Sequence, residues 1–368
     1  YNGTSGPYTL KNWPYANLQL SSASATTYTA PAAMTLTGNL TVDANNTFDP
    51  GGYLITGSGT NVLTNSGTIL VDASTFAGSY ASWETRTMNS GSTVNYSRSG
   101  DQTIDNTLTY QNLTTSGSGT KSLGGITTVS GNLTISAGTL DAVSGQNYSL
   151  SVGGNWSNAG TFTARSGTVT LTGTGSGGTI TSGGSSFYNL TQNGSGGTYT
   201  LQDALTASNN LTITAGTLDT KTGSNYGITL AGNWSNSGTF TPRSGTVTLN
   251  GVTQTIAGSS TFNNLTFTAP QTITFTAGTT QTFNGTFTCI GSAGNIITLA
   301  SSTTSVFTLS KSSGTVDCDY ISVSYSTATG GATWNPGTHS TDGGNNSGWV
   351  FNTAPTLTSV ADTPDPIK

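Results

Sequence analysis

The feature that most constrains this chain is that it repeats itself at long range. Residues 131 to 141, GNLTISAGTLD, return as NNLTITAGTLD at 209 to 219, and GNWSNAGTFTARSGTVTLTG at 154 to 173 returns as GNWSNSGTFTPRSGTVTLNG at 232 to 251, both pairs shifted by the same distance along the chain. Self-similarity at a fixed spacing marks folds in which each unit buries its apolar face against the next. A shorter mark, YANL at 15 to 18, YQNL at 110 to 113, FYNL at 187 to 190 and FNNL at 262 to 265, sets out four copies. They run over about 15–111, 112–188, 189–263 and 264–351, the first being the longest and most diverged.

Inside the copies the motif Asn-hydrophobe-Ser/Thr returns at Asn112, Asn132, Asn155, Asn189, Asn210, Asn233 and Asn264, in steps of 20, 23, 34, 21, 23 and 31. A step near 20 is one coil of a solenoid. Each coil has room for two or three strands such as Leu133-Thr134-Ile135 and Val169-Thr170-Leu171, alternating aliphatic inward and threonine outward, with corners such as Ser136-Ala137-Gly138-Thr139 between them. The expected fold is all-β: a parallel β-solenoid (β-helix) of stacked coils of about 20 residues, capped near the C-terminus, over residues 1–351. Stacked coils lie about 4.8 Å apart and satisfy every strand edge except the terminal ones. Glycine supplies positive φ at the corners and asparagine is expected to tolerate it there, its amide bonding the asparagine of the next coil in one ladder, so that equivalent residues of the repeat stack on themselves. A β-sandwich is the alternative, but it needs hairpin turns every 8–12 residues or so and gives no reason for identity at long range.

Composition agrees with this and excludes several classes. Lys and Arg number 9 and Asp and Glu 14, with Glu84 the one glutamate, so strong helix formers are scarce. The 32% of hydrophobic residues, alternating with Thr and Ser, separates the chain from a disordered one. A net charge of −5 gives no basic footprint for nucleic acid, and no apolar run reaches the length of a membrane span, so neither a nucleic-acid partner nor membrane insertion is expected. Tyr1 opens no signal peptide, and the reading is of a mature form or an excised segment.

Trp156 and Trp234 fill the slot that Leu133 and Leu211 fill elsewhere, which assigns them to the core, whereas Trp334 and Trp349 lie beyond the clear repeats and are expected to cover the open end of the stack. The spacing of Cys289 and Cys318 is compatible with adjacent coils, and the two read either as a disulfide or as two buried free thiols. Two Cys and one His make no structural zinc site. His339, near Asp342, lacks a G-x-S-x-G elbow and reads as a surface turn. Asp317 and Asp319 share a strand face like a glycosidase pair, but with Cys318 inward they point to solvent. The G-x-G-x-x-G at Gly173, Gly175 and Gly178 has no following helix to hold a pyrophosphate. No catalytic residue, cofactor or metal is expected.

The repeats, GNWSNSGTFTPRSGTVTLNG being the clearest, and the stretch from Asp317 to Phe351, DCDYISVSYSTATGGATWNPGTHSTDGGNNSGWVF, are similar to bacterial extracellular β-strand-repeat proteins over about residues 15 to 351. The resemblance implies a secreted or surface-displayed parallel β-helix, often one module of a fibrous or adhesin-like chain. The first copy departs from it through an insert with Trp83, Glu84 and Arg86. Residues 352–368, with Pro355, Pro364 and Pro366, read as an extended tail or a linker to a following module.

Taken together these features lead to an extracellular structural protein without catalysis, a filament subunit or adhesin stalk that self-associates into a homo-polymer through its ends or faces. A polysaccharide-binding module is the second expectation, with Tyr80, Tyr96 and Tyr148 as exposed platforms. An ice-binding protein is less favoured, because strings such as Thr168-Val-Thr170 and Thr246-Val-Thr248 return once per copy instead of once per coil. A polysaccharide-active β-helix enzyme is least favoured, for want of clustered carboxylates.

Overall fold

A computed structural model describes residues 1–3 and 6–351; the proline-bearing tail read from the sequence lies outside them. Three short strands make one turn. In the turn that starts at Asn112 they are Asn112–Thr115, Thr120–Leu123 and Thr127–Val129, and we label the faces they occupy A, B and C. One turn on come Leu133–Ile135, Thr139–Asp141 and Leu150–Val152, with Leu133 opposite Leu113, Leu140 opposite Lys121 and Val152 opposite Val129. About 16 such turns, roughly 21 residues apart, form a parallel β-solenoid with almost no helix. Strand pairing is parallel from the first turn to the last, where a sandwich would need antiparallel hairpins. Faces A and C join into one 22-stranded sheet because two strands, Asn189–Leu201 and Leu211–Asp219, continue around the corner between them.

The alternation in sequence becomes an alternation of burial. Leu133 and Ile135 are buried while Thr134 between them faces out, and the same holds for Leu150-Ser151-Val152 and Ile228-Thr229-Leu230. Leu113, Leu133, Trp156 and Ile180 stack on face A as one inward row. Corners bring backbone against backbone: Gly138 has φ 68°, and a Cβ there would stand 2.7 Å from the Gly119 carbonyl oxygen one turn below.

The length of one copy is not a whole number of turns. Between Asn112 and Asn189 the chain passes eleven strand positions, three per turn, and it passes eleven again between Asn189 and Asn264. Each of these two copies therefore spans three and two-thirds turns, so Asn112 lies on face A, Asn189 on face C and Asn264 on face B. The sequence expectation that equivalent residues of the copies stack on themselves is thus corrected. Like residues do stack turn on turn, but successive copies are rotated by a third of a turn.

Turning a corner removes carbonyls from the ladder, and buried carbonyls need donors. Inward-facing amides supply them in a recurrent pattern. Gln102 donates to the carbonyls of Val71 (2.6 Å) and Ala73 (2.7 Å), Gln254 to those of Leu230 and Gly232, Gln271 to those of Leu249 and Gly251, and Asn61 to those of Leu36 and Gly38. Directly above Gln102 the same office falls to the buried Lys121, whose ammonium donates to the carbonyls of Arg98 (2.7 Å), Gly100 (2.6 Å) and Ser118 (2.9 Å). Burial lowers the Lys121 pKa from its ordinary value.

Outward hydroxyls line up along the axis. On face B, Thr206, Thr229, Thr248, Thr266 and Thr288 occupy consecutive turns in register. On face C the row is Thr128, Ser151, Thr170, Thr191, Thr212 and Ser235. Single threonines thus recur turn after turn, whereas the strings Thr168-Val-Thr170 and Thr246-Val-Thr248 stand opposite Asn189-Leu-Thr191 and Asn264-Leu-Thr266.

Candidate functional site

A groove opens where the stacking fails on one face. On face C, strand Thr85–Met88 pairs with Val62–Asn65 below, and strand Thr109–Tyr110 pairs with Thr127–Val129 above, but the two do not pair with each other. The cause is local. The long first copy inserts the short helix Phe76–Ser79 and places Arg86 opposite Leu63, at a register position that faces inward. A guanidinium cannot stay unpaired in an apolar interior. Arg86 covers the Phe76 ring at 5.4 Å and reaches across the gap to Asp105 (Nη1 to Oδ2, 2.7 Å) and Thr107 (Nη2 to Oγ1, 2.8 Å).

Behind this bridge the groove wall is hydrogen-bonded throughout. Thr107 donates through its backbone N–H (2.8 Å) and its hydroxyl (2.6 Å) to Asp105 Oδ1. The Tyr96 hydroxyl accepts from the Asp105 N–H (2.9 Å), the Tyr110 hydroxyl donates to the Asp105 carbonyl (2.7 Å), and the two hydroxyls lie 2.8 Å apart. Burial alone would raise the Asp105 pKa, but the bonds from Thr107 and Arg86 outweigh it and hold the carboxyl below its ordinary value. The groove encloses about 460 Å³ between Glu84, Thr85, Arg86, Thr107, Thr109 and Gln111, with buried Met88 and Leu108 adding apolar lining. Glu84 is exposed, and its carboxylate has no partner among the described residues. The sequence signal was present in the departure of this insert from the repeats, but a missing strand pairing has no signature in sequence.

A second interruption lies on face B, between Phe287–Thr288 and Thr315–Asp317. It opens a groove of about 400 Å³ that includes Lys311 and Asp317. Cys289 and Cys318, the residues that follow the two strands, form a disulfide with Cα atoms 4.9 Å apart, and beyond it the chains re-pair at Ile290 and Asp319. A third, smaller pocket of about 250 Å³ includes Gly173, Gly175 and Gly178 with Tyr199. The glycine motif leads into strand Gly178–Thr181, and the Tyr199 hydroxyl accepts from the Gly173 N–H (3.2 Å) and donates to the Val152 carbonyl (3.1 Å).

The seven asparagines form ladders, though not of the expected kind. Asn112 Oδ1 accepts from the backbone N–H of Asn132 (2.9 Å), Asn132 Oδ1 from that of Asn155 (2.8 Å), and Asn155 Oδ1 from that of Thr179 (2.9 Å). Asn189, Asn210 and Asn233 make a second run, ending on the Thr255 N–H, and Asn264 bonds the Thr286 N–H on a third face. Two corrections follow. The side-chain amide does bond the asparagine of the next turn, through its backbone N–H, but the ladder is broken among faces and none of the seven has positive φ. Asparagines that do adopt the left-handed region, Asn45, Asn147, Asn225 and Asn345, are others.

Trp156 and Trp234 are buried, each edge-on to a phenylalanine at 4.8 Å, Phe162 and Phe240. Trp334 is buried, and Trp349 stands one turn beyond it, ring centroids 5.4 Å apart. His339 pairs with Asp319 through Nδ1 (2.9 Å) and stacks on Tyr320 at 4.4 Å, whereas Asp342 accepts from Gly344 and Asn346. The expected platforms Tyr80 and Tyr96 are core residues, Tyr80 donating to the Leu70 carbonyl (2.8 Å), and Tyr148 is half-buried, so the surface-aromatic reading is corrected for all three. In their strands Tyr80 and Tyr96 take the inward phase, which their size and a satisfied hydroxyl permit.

Two ion pairs repeat with the sequence. Arg165 holds Asp141 through Nε (2.8 Å) and Nη2 (2.9 Å), and Arg243 holds Asp219 through Nε (3.0 Å) and Nη2 (2.7 Å). Hydrogen bonding from the guanidinium lowers the pKa of each aspartate. Among the described residues, no three His, Cys, Asp or Glu side chains gather to hold a metal ion, and no helix is long and apolar enough to cross a membrane.

No protein-family model, curated protein or solved structure matches the chain.

Proposed function

We propose that the chain is an extracellular structural element, a stiff rod that serves as a fibre subunit or adhesin stalk at a cell surface and associates with further copies of itself. The observation that carries this reading is the stack of about 16 parallel turns with uncharged hydroxyl rows along its faces. At about 4.8 Å per turn the rod is roughly 75 Å long. Flat, neutral, hydrogen-bonding rows favour lateral or end-to-end association because little charge opposes it, and a disulfide between neighbouring turns suits an oxidising compartment. Small-angle scattering and negative-stain microscopy of the purified chain test it: rods and rod polymers are expected, and compact monomers at every concentration refute the reading.

Ice binding is a second reading, favoured by the in-register threonines at Thr206, Thr229, Thr248, Thr266 and Thr288. Threonine is stiff at χ1, so such a row holds its hydroxyls and methyls in a fixed array. Thermal hysteresis that is lost in Thr248→Lys supports it, and the absence of hysteresis in the native chain rejects it.

A further inference from the structure

We propose that the groove on face C between Glu84–Arg86 and Thr107–Gln111 binds an oligosaccharide segment. The inference is independent of the rod reading and rests on three observations at one place. The groove encloses about 460 Å³, and it exists because strands Thr85–Met88 and Thr109–Tyr110 do not pair. The single glutamate of a chain with 14 acidic residues stands at its edge with an uncommitted carboxylate. Apart from Arg86, whose guanidinium is held by Asp105 and Thr107, its remaining polar lining is hydroxyl and amide, from Thr85, Thr107, Thr109 and Gln111, beside the apolar Met88 and Leu108.

That combination fits a sugar. A pyranose ring presents hydroxyls, which are donors and acceptors, around faces of C–H groups. The Glu84 carboxylate offers four acceptor sites and the Gln111 amide both donors and acceptors, and charge-assisted bonds to a carboxylate are the stronger kind. An added peptide strand is the other occupant that an unpaired strand edge invites. It is disfavoured here because the Arg86–Asp105 pair spans the gap (2.7 Å), and a strand laid between the two edges would have to break it. A ligand lying along the groove leaves the bridge intact. Its positioning partners, Asp105, Thr107, Tyr96 and Tyr110, already fix the wall against which such a ligand would rest.

The test is titration calorimetry of the full chain with cellohexaose, xylohexaose, chitohexaose and maltohexaose, and with an alternating Thr-Val decapeptide. Glu84→Gln keeps the shape of an exposed side chain and is checked for native circular dichroism. Asp317→Asn, in the groove on face B, is the control. We expect saturable binding of at least one hexaose, weakened about tenfold or more in Glu84→Gln, as loss of a charge-assisted bond implies, and unchanged in Asp317→Asn. The proposal is overturned if none of the four sugars binds, if Glu84→Gln binds as the native chain does, if Asp317→Asn abolishes binding, or if the peptide alone binds.

Discussion

Arg165 and Arg243 occupy the same place in two successive copies of one repeat, yet they stand on different faces of the solenoid. Arg165 follows strand Thr161–Thr163 on face B and holds Asp141 of the strand below, while Arg243 follows Thr239–Thr241 on face A and holds Asp219. Local pairing is reproduced in each copy; orientation is not. The unit that was copied preserves the phase of each strand and the step to its neighbour, and the direction in which it faces follows from its length.

A deletion of one whole copy unit is therefore expected to fold. Removing residues 155–232 joins Gly154 to Asn233, and Trp234 then meets Leu133 as Trp156 does now. The shortened rod should lose about 18 Å in maximum dimension by scattering and keep a cooperative melt. A deletion of comparable size whose two ends are not equivalent positions of the copies should aggregate or melt broadly; equal behaviour of the two would show that the register at the join does not matter.

The asparagine ladder is expected to contribute in small, similar steps. Asn132→Ala removes the acceptor of the Asn155 N–H (2.8 Å) at an exposed site, for a loss of about 1 kcal/mol in urea unfolding. Asn132→Asp retains an oxygen at that position and should cost less.

Lys121 is expected to be among the most sensitive polar positions. Lys121→Met leaves the carbonyls of Arg98, Gly100 and Ser118 without their ammonium donor, a loss of about 3 kcal/mol. Lys121→Gln should recover part of it, since Gln102 caps the turn beneath in the same register. A Met variant as stable as the native chain would mean that these carbonyls find water instead.

Acid should weaken the fold through the paired aspartates. The pKa of Asp141 and Asp219 is lowered in the folded state by Arg165 and Arg243, so their contribution is present above the unfolded carboxylate value near about 4 and is lost as pH falls through the folded value. Melting followed between neutral pH and about pH 2 should show that decline, and the double variant Asp141→Asn, Asp219→Asn should show a shallower one.

Much of this architecture was legible from the residues because the deciding signals are local and periodic. The alternation in Leu133-Thr134-Ile135 gives the strand and its buried face, and the spacing from Asn112 to Asn132 to Asn155 gives the turn. What was not legible depends on the sum of lengths along the chain. Whether Asn189 returns to the face of Asn112 is decided by eleven strand positions between them, and no single residue records it. Tyr80 and Tyr96 were misplaced because an amphipathic ring is equally at home in either phase of a strand, and only register with Ile55 and Val71 puts them inside. The pairing of Asp141 with Arg165 and of Asp219 with Arg243 had a signal that was passed over: both separations are 24 residues, close to one turn.

The cystine joins two neighbouring strands at a place where they share no ladder. Under a pull along the rod, turns peel away one by one, and an unpaired seam is where peeling would run fastest. Covalent closure between Cys289 and Cys318 locks that seam: a pull arriving at Cys318 passes through the cystine to Cys289, so the turn between the two cysteines cannot be drawn out while the bond is intact.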